Sequence, residues 1–168
     1  MSATLAQISF TELLDANRRD AEKWRSWFDA QPASILDVPM TVAGTKDVRE
    51  FLLHIFAVEL RYAERLAGCE VTPYEALPTG SVADLFGIGE RARSLFRDYL
   101  ARSTDADLAV VLEFPTRTAG TLRASKRKMF AHAMLHGVRH WAQLATELRE
   151  AGYPTNWGKD FLMNEAME

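Results

Sequence analysis

The chain has 168 residues, of which 48% are hydrophobic and 26% charged, and its formal net charge is −3. This length accommodates one domain with a hydrophobic core but not two, so we expect a single domain over residues 1–168. The acidic balance excludes a general binder of nucleic acid or of anionic membranes, because such proteins need a cationic surface.

Three further features concern the compartment. No apolar run approaches the ~20 residues that span a bilayer. The first ten residues lack the basic and then apolar segments of a signal peptide. The single cysteine, Cys69, excludes an intramolecular disulfide and fits a reducing compartment. We therefore expect a cytoplasmic protein without membrane association.

The first predicted helix runs from about Ser9 to Ala30. Ser9 is followed three residues later by Glu12, the pattern of a capping box, and apolar residues then recur at spacings of three and four. Pro32 ends this helix. The stretch that follows, residues 31–45, has two prolines, a glycine and no sustained period, which predicts a connecting loop.

Two further helices are predicted in the middle of the chain. The second runs from about Thr45, a plausible cap, to Gly68, where a C-terminal glycine belongs, and its broad apolar face includes His54. After a loop that contains two prolines and a glycine, the third helix runs from about Ser81 to Arg102. Both carry apolar stripes suited to burial.

The segment LAVVLEFPTRTAGTLRA, residues 108–124, breaks the helical rhythm. Its β-branched and aromatic residues favour extended structure, and PTRTAG is typical of a turn, so we expect a short hairpin or two extended arms. A last helix should run from about Ala124 to Ala151 and stop at Gly152. Four long helices with such loops predict an all-α four-helix bundle, with a short extended segment before the last helix.

Three of the four histidines, His132, His136 and His140, lie four residues apart on the last predicted helix. Residues four apart on a helix differ by about 40°, so an adjacent pair can bind one ion, as in the HExxH motif. The outer two are about 12 Å apart along the axis and cannot chelate together. Spacing leaves 132/136 and 136/140 open, with His54 as the remaining histidine. Alternatively, each histidine is a partly buried polar residue satisfied by a hydrogen bond.

Other polar residues near the histidines have simpler interpretations. Gln143 either faces the site or bonds to a neighbour. Gly137 costs about 1 kcal/mol in mid-helix, which indicates close approach of another helix. Glu59 is displaced by about 140° from His54 around the second helix and Glu64 lies almost three turns away, so we expect both to be surface charges.

The blocks HAMLHGVRHWAQLATELREAGYP (132–154) and EFLLHIFAVELRYAERL (50–66) resemble the DinB/YfiT-like superfamily. There, a similar histidine pair, a Q-L motif and a helix end at Gly-x-x-Pro close a four-helix bundle whose second helix carries one inward histidine. The resemblance implies a metal triad of His54, His136 and His140. It leaves His132 and Gln143 as residues next to the ligands.

A triad of neutral imidazoles suits zinc or nickel, with iron, manganese or copper as alternatives, better than magnesium or calcium. Three protein ligands with open positions are typical of a catalytic metal. The resemblance implies a metal-dependent enzyme with a small-molecule substrate, either hydrolase-like or transferring a low-molecular-weight thiol to an electrophile, in stress response or detoxification. An anionic thiol requires a cationic rim. The cations near the ligand-bearing segments are Arg49, Arg61, Arg123, Lys126 and Arg139.

The competing interpretation is a non-catalytic binding or interaction protein. Its metal site would be structural or vestigial, and metal exchange distinguishes the two, because a catalytic site is open to small ligands whereas a structural one is closed. Both interpretations include a homodimer, which the resemblance implies. Neither includes DNA binding, because the acidic balance opposes it.

Overall fold

A computed structural model describes residues 7–42, 44–116 and 119–166. It confirms the mostly helical fold with a small hairpin before the last helix. The long helices are α1 (Phe10–Asp29), α2 (Val48–Ala67), α3 (Val82–Arg102) and α5 (Lys126–Glu150), and the short elements are α4 (Asp105–Ala109), β1 (Val111–Pro115) and β2 (Thr121–Ser125).

The start of α1 follows the predicted capping box. The Ser9 hydroxyl accepts a bond from the Glu12 amide at 3.1 Å, and the Glu12 carboxylate accepts one from the Ser9 amide at 2.6 Å. Ser81 caps α3 by accepting a bond from the Asp84 amide at 3.1 Å, without the reciprocal bond to its own amide. These bonds satisfy amides that a helix start otherwise leaves unpaired.

The predicted cap of α2 is wrong by two residues. Asp47, not Thr45, caps the helix, and its carboxylate accepts from the Glu50 amide at 2.8 Å. The Thr45 hydroxyl instead donates to the Val42 carbonyl at 2.8 Å, which holds it in the preceding turn. Gly68 ends α2 with a φ of 73°, the left-handed conformation that favours glycine.

The last helix begins slightly later than its apolar pattern suggests. Ser125 is its cap and accepts from the Lys128 amide at 3.2 Å, so Ala124 stays in strand β2. The helix ends at Glu150, and Gly152 turns the chain away with a φ of 89°.

The core is centred on α2, which packs against both α3 and α5, while α1 packs against the same two helices. Each large apolar side chain removed from water contributes about 1.5–3 kcal/mol. The fully buried aromatic residues are Trp24, Phe28, Phe51, Phe56, Phe86, Phe96 and Phe130. Within the described ranges, each helix is too short or too polar to cross a bilayer.

Strands β1 and β2 form the predicted hairpin and pair antiparallel from Val111 with Ser125 to Pro115 with Thr121. Phe114 is buried and anchors the hairpin to the bundle, with the Arg65 guanidinium 5.2 Å from its ring centroid. Residues 117 and 118, at the centre of the predicted turn, lie outside the described part of the chain.

The C-terminal segment packs against α1 after one short 3-10 turn, Phe161–Met163. The Asn164 amide donates to the Ala16 carbonyl at 3.1 Å and to the Asp20 carboxylate at 2.9 Å. The segment therefore contains a short helical turn within a strap along α1.

The expectation that Glu59 and Glu64 are surface charges is wrong. Both have no exposed surface. Glu64 accepts a bond from the Thr72 amide at 2.8 Å and from the Arg91 guanidinium at 2.7 Å. Because α2 is packed against α3 as well as α5, positions turned away from His54 still face a neighbouring helix.

Candidate metal centre

Three histidines from two helices converge. The ring nitrogens of His54 on α2 and of His136 and His140 on α5 lie within 4.8 Å of one another. The Nε2 atoms of His54 and His140 are 3.3 Å apart, and those of His140 and His136 are 3.0 Å apart. The arrangement follows from helical geometry, because residues four apart on α5 stack on one face. These histidines can hold a metal ion.

His132 does not join this cluster. Its ring centroid lies 5.7 Å from that of His136 and 5.2 Å from that of Tyr62, and the residue is exposed. Of the two pairs that spacing left open, the structure places 136/140 opposite His54. His132 is a neighbour of the cluster, one turn earlier on α5.

Gln143 contacts the cluster directly. Its Oε1 lies 2.6 Å from Nδ1 of His140, so this nitrogen carries a proton and donates it to the amide oxygen. The Nε2 of His140 is then unprotonated and directs its lone pair towards the other two rings. A side chain that fixes tautomer and ring orientation in this way is typical of metal-binding histidines.

The surroundings of His136 and His140 favour the neutral forms of both rings. Burial, reinforced by the neighbouring His140 and His54, lowers the pKa of His136 to about 3. Burial also lowers the pKa of His140, against the opposing effect of its bond to Gln143. Neutral imidazoles are the form in which histidine binds metals.

The hydrogen-bond balance of the three rings fits a cation. His136 Nδ1 is buried and has no partner among the described residues. If its proton is on Nδ1, a buried donor is unpaired and two lone pairs face each other at 3.0 Å. If the proton is on Nε2, Nδ1 is a buried acceptor without a donor. Nitrogens bound to a tetrahedral zinc at about 2.0–2.1 Å lie about 3.3 Å apart, close to the observed spacing.

An apolar ring packs against the site, and two of the three histidines are partly exposed. The Phe51 ring is fully buried, with its centroid 5.3 Å from that of His140 and 6.5 Å from that of His54. His54 and His136 are only partly buried. In the part of the chain that the structure describes, no carboxylate or thiol joins the three rings. Three protein ligands with an accessible side are the pattern of an open metal site.

Arg139 is the cation most closely associated with the histidines. It is exposed, and its charge contributes to the lowered pKa values of both His136 and His140. The other proposed rim cations have their described interactions elsewhere: Arg49 with Asp37, Arg61 beside Tyr62, Arg123 near Glu113 and Lys126 over the Tyr99 ring.

The sequence did not predict a second polar cluster, whose central residue lies five residues after His54 on α2. We call Asn17, Glu59 and Arg93 the buried polar network. The Asn17 amide donates to Glu59 Oε1 at 3.1 Å, and the Arg93 guanidinium donates to Glu59 Oε2 at 3.3 Å. The available signal was Asn17, a polar residue within the apolar stripe of α1.

Two cavities lie away from the histidines. An open groove of about 600 Å³ is lined by residues of α1 and of the C-terminal segment, including Trp27 and Trp157. A small cavity of about 70 Å³ lies beside Trp24, Trp141 and Trp157. Neither is lined by a histidine.

A protein-family model described as the DinB family matches residues 1–168. No curated protein matches the chain significantly.

Proposed function

The chain belongs to the DinB family, and on this premise we propose that it is a metal-dependent enzyme whose ion is held by His54, His136 and His140. The observation that supports this most directly is the convergence of three imidazoles, two of them on partly exposed residues, without a fourth protein ligand from the described residues. A closed structural site would require that fourth ligand.

Zinc or nickel suits three imidazoles best, and iron, manganese and copper are the alternatives. When bound, such an ion supplies a Lewis acid that increases the reactivity of a water or a thiol. The substrate class we propose is a small electrophile, which is either hydrolysed or receives a low-molecular-weight thiol. Stress response or detoxification is the setting that the family resemblance implies, and we propose that the protein acts in the cytoplasm.

The chain's own residues have distinct tasks in this proposal. Gln143 orients His140 through the 2.6 Å bond to Nδ1. Phe51 excludes water from the side of the site that its ring packs against, where it is fully buried. Arg139, exposed beside the ligands, attracts an anionic cosubstrate such as a thiolate.

The first experiment is elemental mass spectrometry on untagged protein purified without added metal. We expect about one transition-metal ion per chain in the wild type and none in His136→Ala. His132→Ala is the matched control, since it removes an exposed histidine from the same helix, and it should retain the ion. No ion in the wild type after incubation with zinc or nickel would refute the proposal.

Activity assays then separate the two reactions. Metal-loaded protein is offered a model ester and, separately, an electrophile with a low-molecular-weight thiol. Turnover in one assay that disappears in His54→Ala and persists in His132→Ala assigns the reaction class. Metal binding without turnover in either assay would favour the non-catalytic alternative.

A homodimer, which we propose for the enzyme and for the non-catalytic binding protein with a structural or vestigial metal site alike, has one observation in its favour. Leu135 and Val138 lie one turn apart on α5 and are 63% and 51% exposed. An apolar pair on an outer helix face suits contact with a second copy, and it also suits a dimeric enzyme. Sedimentation of Leu135→Lys beside the wild type tests the dimer, which should dissociate in the variant.

A further inference from the structure

The buried polar network touches α5 at a glycine between two of the histidines. A Cβ atom on Gly137 would lie 2.9 Å from the Asn17 amide nitrogen and 3.1 Å from Glu59 Oε1. Gly137 directly follows His136 and precedes His140 by three residues. An alanine here would require the Asn17 amide to move and the Glu59 carboxylate to shift by a few tenths of an ångström, so α5 lies close to the side chains of α1 and α2 at this point.

A second glycine makes a similar close contact with α2. A Cβ atom on Gly89 of α3 would overlap the Phe56 ring and lie 2.9 Å from the Arg93 guanidinium. Residues of α2 thus contact a glycine of α3 and a glycine of α5. Close contacts with both helices leave little freedom for these helices to slide or rotate.

The chemistry of the network makes the alignment specific. Apolar helix faces tolerate alternative alignments, because one aliphatic contact replaces another at small cost. A buried carboxylate that loses its partners is strongly destabilising, so alignments that separate Glu59 from Arg93 or Asn17 are disfavoured. Single buried polar residues set helix register in this way in coiled coils.

We propose that the buried polar network, packed against Gly137, sets the register of α5 against α2 and thereby positions His136 and His140 opposite His54 for metal binding. The inference rests on the proposed metal site and adds positioning residues to it. Ligand atoms of a functional site must be held within about 0.5 Å. A slip of one residue along a helix moves a ring by about 1.5 Å, which is enough to separate them.

The decisive variant is Gly137→Ala, with Gly87→Ala as its matched control. Gly87 is also a helical glycine, but a Cβ atom there would meet nothing within 4 Å. Both changes improve helix propensity. We expect Gly137→Ala to lose cobalt(II) affinity by about 10- to 100-fold, the range for residues that support metal ligands. Its cobalt absorption spectrum should also change, whereas Gly87→Ala should keep the wild-type affinity and spectrum.

A double variant tests whether the effect passes through the network. Asn17→Ala removes the amide nearest to the added methyl group, so Asn17→Ala/Gly137→Ala should bind cobalt more tightly than Gly137→Ala alone. Asn17→Ala by itself should weaken binding moderately, since Glu59 loses one partner. It provides the test if Gly137→Ala does not fold. Additive losses in the double variant would contradict the proposal.

A metal-free measurement separates this inference from the proposed function. The ring centroids of His54 and His140 lie 4.9 Å apart, so nuclear Overhauser effects between their ring protons report the register directly. They should be present in the wild type and Gly87→Ala and lost in Gly137→Ala. If the wild type binds no metal, the proposed function fails, but this loss would still support the register. Wild-type contacts in Gly137→Ala would overturn the inference.

Discussion

Two polar clusters lie at the contact between α2 and α5, and they differ in how their charges and hydrogen bonds are satisfied. In the buried polar network, both oxygens of the Glu59 carboxylate accept bonds from neighbouring helices, and Asn17 Oδ1 is the one buried polar atom that lacks a partner among the described residues. In the histidine cluster, three ring nitrogens face one another and His136 Nδ1 lacks a partner among the described residues. The protein itself supplies the hydrogen-bond donors for the Glu59 carboxylate, whereas the ring nitrogens of the histidine cluster are available to bind an ion.

Their exposure differs in the same sense. Glu59 is fully buried, while His54 and His136 are partly exposed. Buried polar groups therefore serve two purposes in this bundle. A closed ion pair selects one arrangement of helices, and an open set of neutral ligands accepts something from outside. Substitutions in the two clusters, addition of metal and changes of pH should distinguish these two purposes.

The largest effect on stability should come from disrupting the buried polar network. Arg93→Ala leaves the Glu59 carboxylate buried without its cation, which costs about 3–5 kcal/mol in the free energy of unfolding. Urea denaturation of metal-free protein measures it. Arg123→Ala, which removes an exposed arginine 3.7 Å from Glu113, is the control and should cost about 0–1 kcal/mol. Equal losses in the two variants would mean that the network does not stabilise the fold.

The histidine cluster should instead increase the stability of the protein when it binds metal. Zinc at a hundred times its dissociation constant should raise the free energy of unfolding of the wild type by about 2.7 kcal/mol. His54→Ala should show almost none of this increase, because one of three ligands is missing. His132→Ala should show all of it. Urea denaturation with and without zinc gives both values, and an equal response in His54→Ala would place the ion elsewhere.

Gln143 should influence the metal without binding it. Gln143→Ala removes the acceptor 2.6 Å from Nδ1 of His140 and should weaken zinc binding by about 10- to 100-fold. Gln143→Glu keeps an acceptor and should retain most of the affinity. Competition against a chromophoric chelator measures both variants. Equal weakening in both would show that a property other than hydrogen-bond acceptance matters here.

The pH dependence should carry the signature of a buried neutral histidine. The folded-state pKa of His136, about 3, is below its unfolded value of about 6.5. The unfolded chain therefore binds more protons between these values, and stability decreases as the pH falls from about 6.5 towards 3, by at most about 1.4 kcal/mol per pH unit. Metal-free His136→Gln should show a shallower decrease. An unchanged slope would exclude His136 as its source.

Local signals predicted the elements well. The capping box at Ser9, the start of α3 near Ser81, the glycine at the end of α2 and the hairpin before the last helix all depend on neighbours within a few residues. The error at Thr45 is also local, because the carboxylate that caps the first turn belongs to Asp47, two residues later.

Non-local features were harder to predict. Nothing near Glu59 or Glu64 in the sequence distinguishes them from surface glutamates, since their partners Arg93 and Arg91 lie on another helix. Gly137 was an exception, because its cost in mid-helix already indicated a close approach. Only the structure identified the side chains that approach it.

The candidate metal site also combines local features, which the sequence predicts, with non-local features, which depend on packing. By itself the sequence determined that histidines four residues apart on one helix share a face, because helical geometry is local. It left the choice between 132/136 and 136/140 open, and resemblance to a family favoured the second pair. Only the tertiary structure brought that pair opposite His54, since the register between α2 and α5 depends on packing between residues distant in sequence.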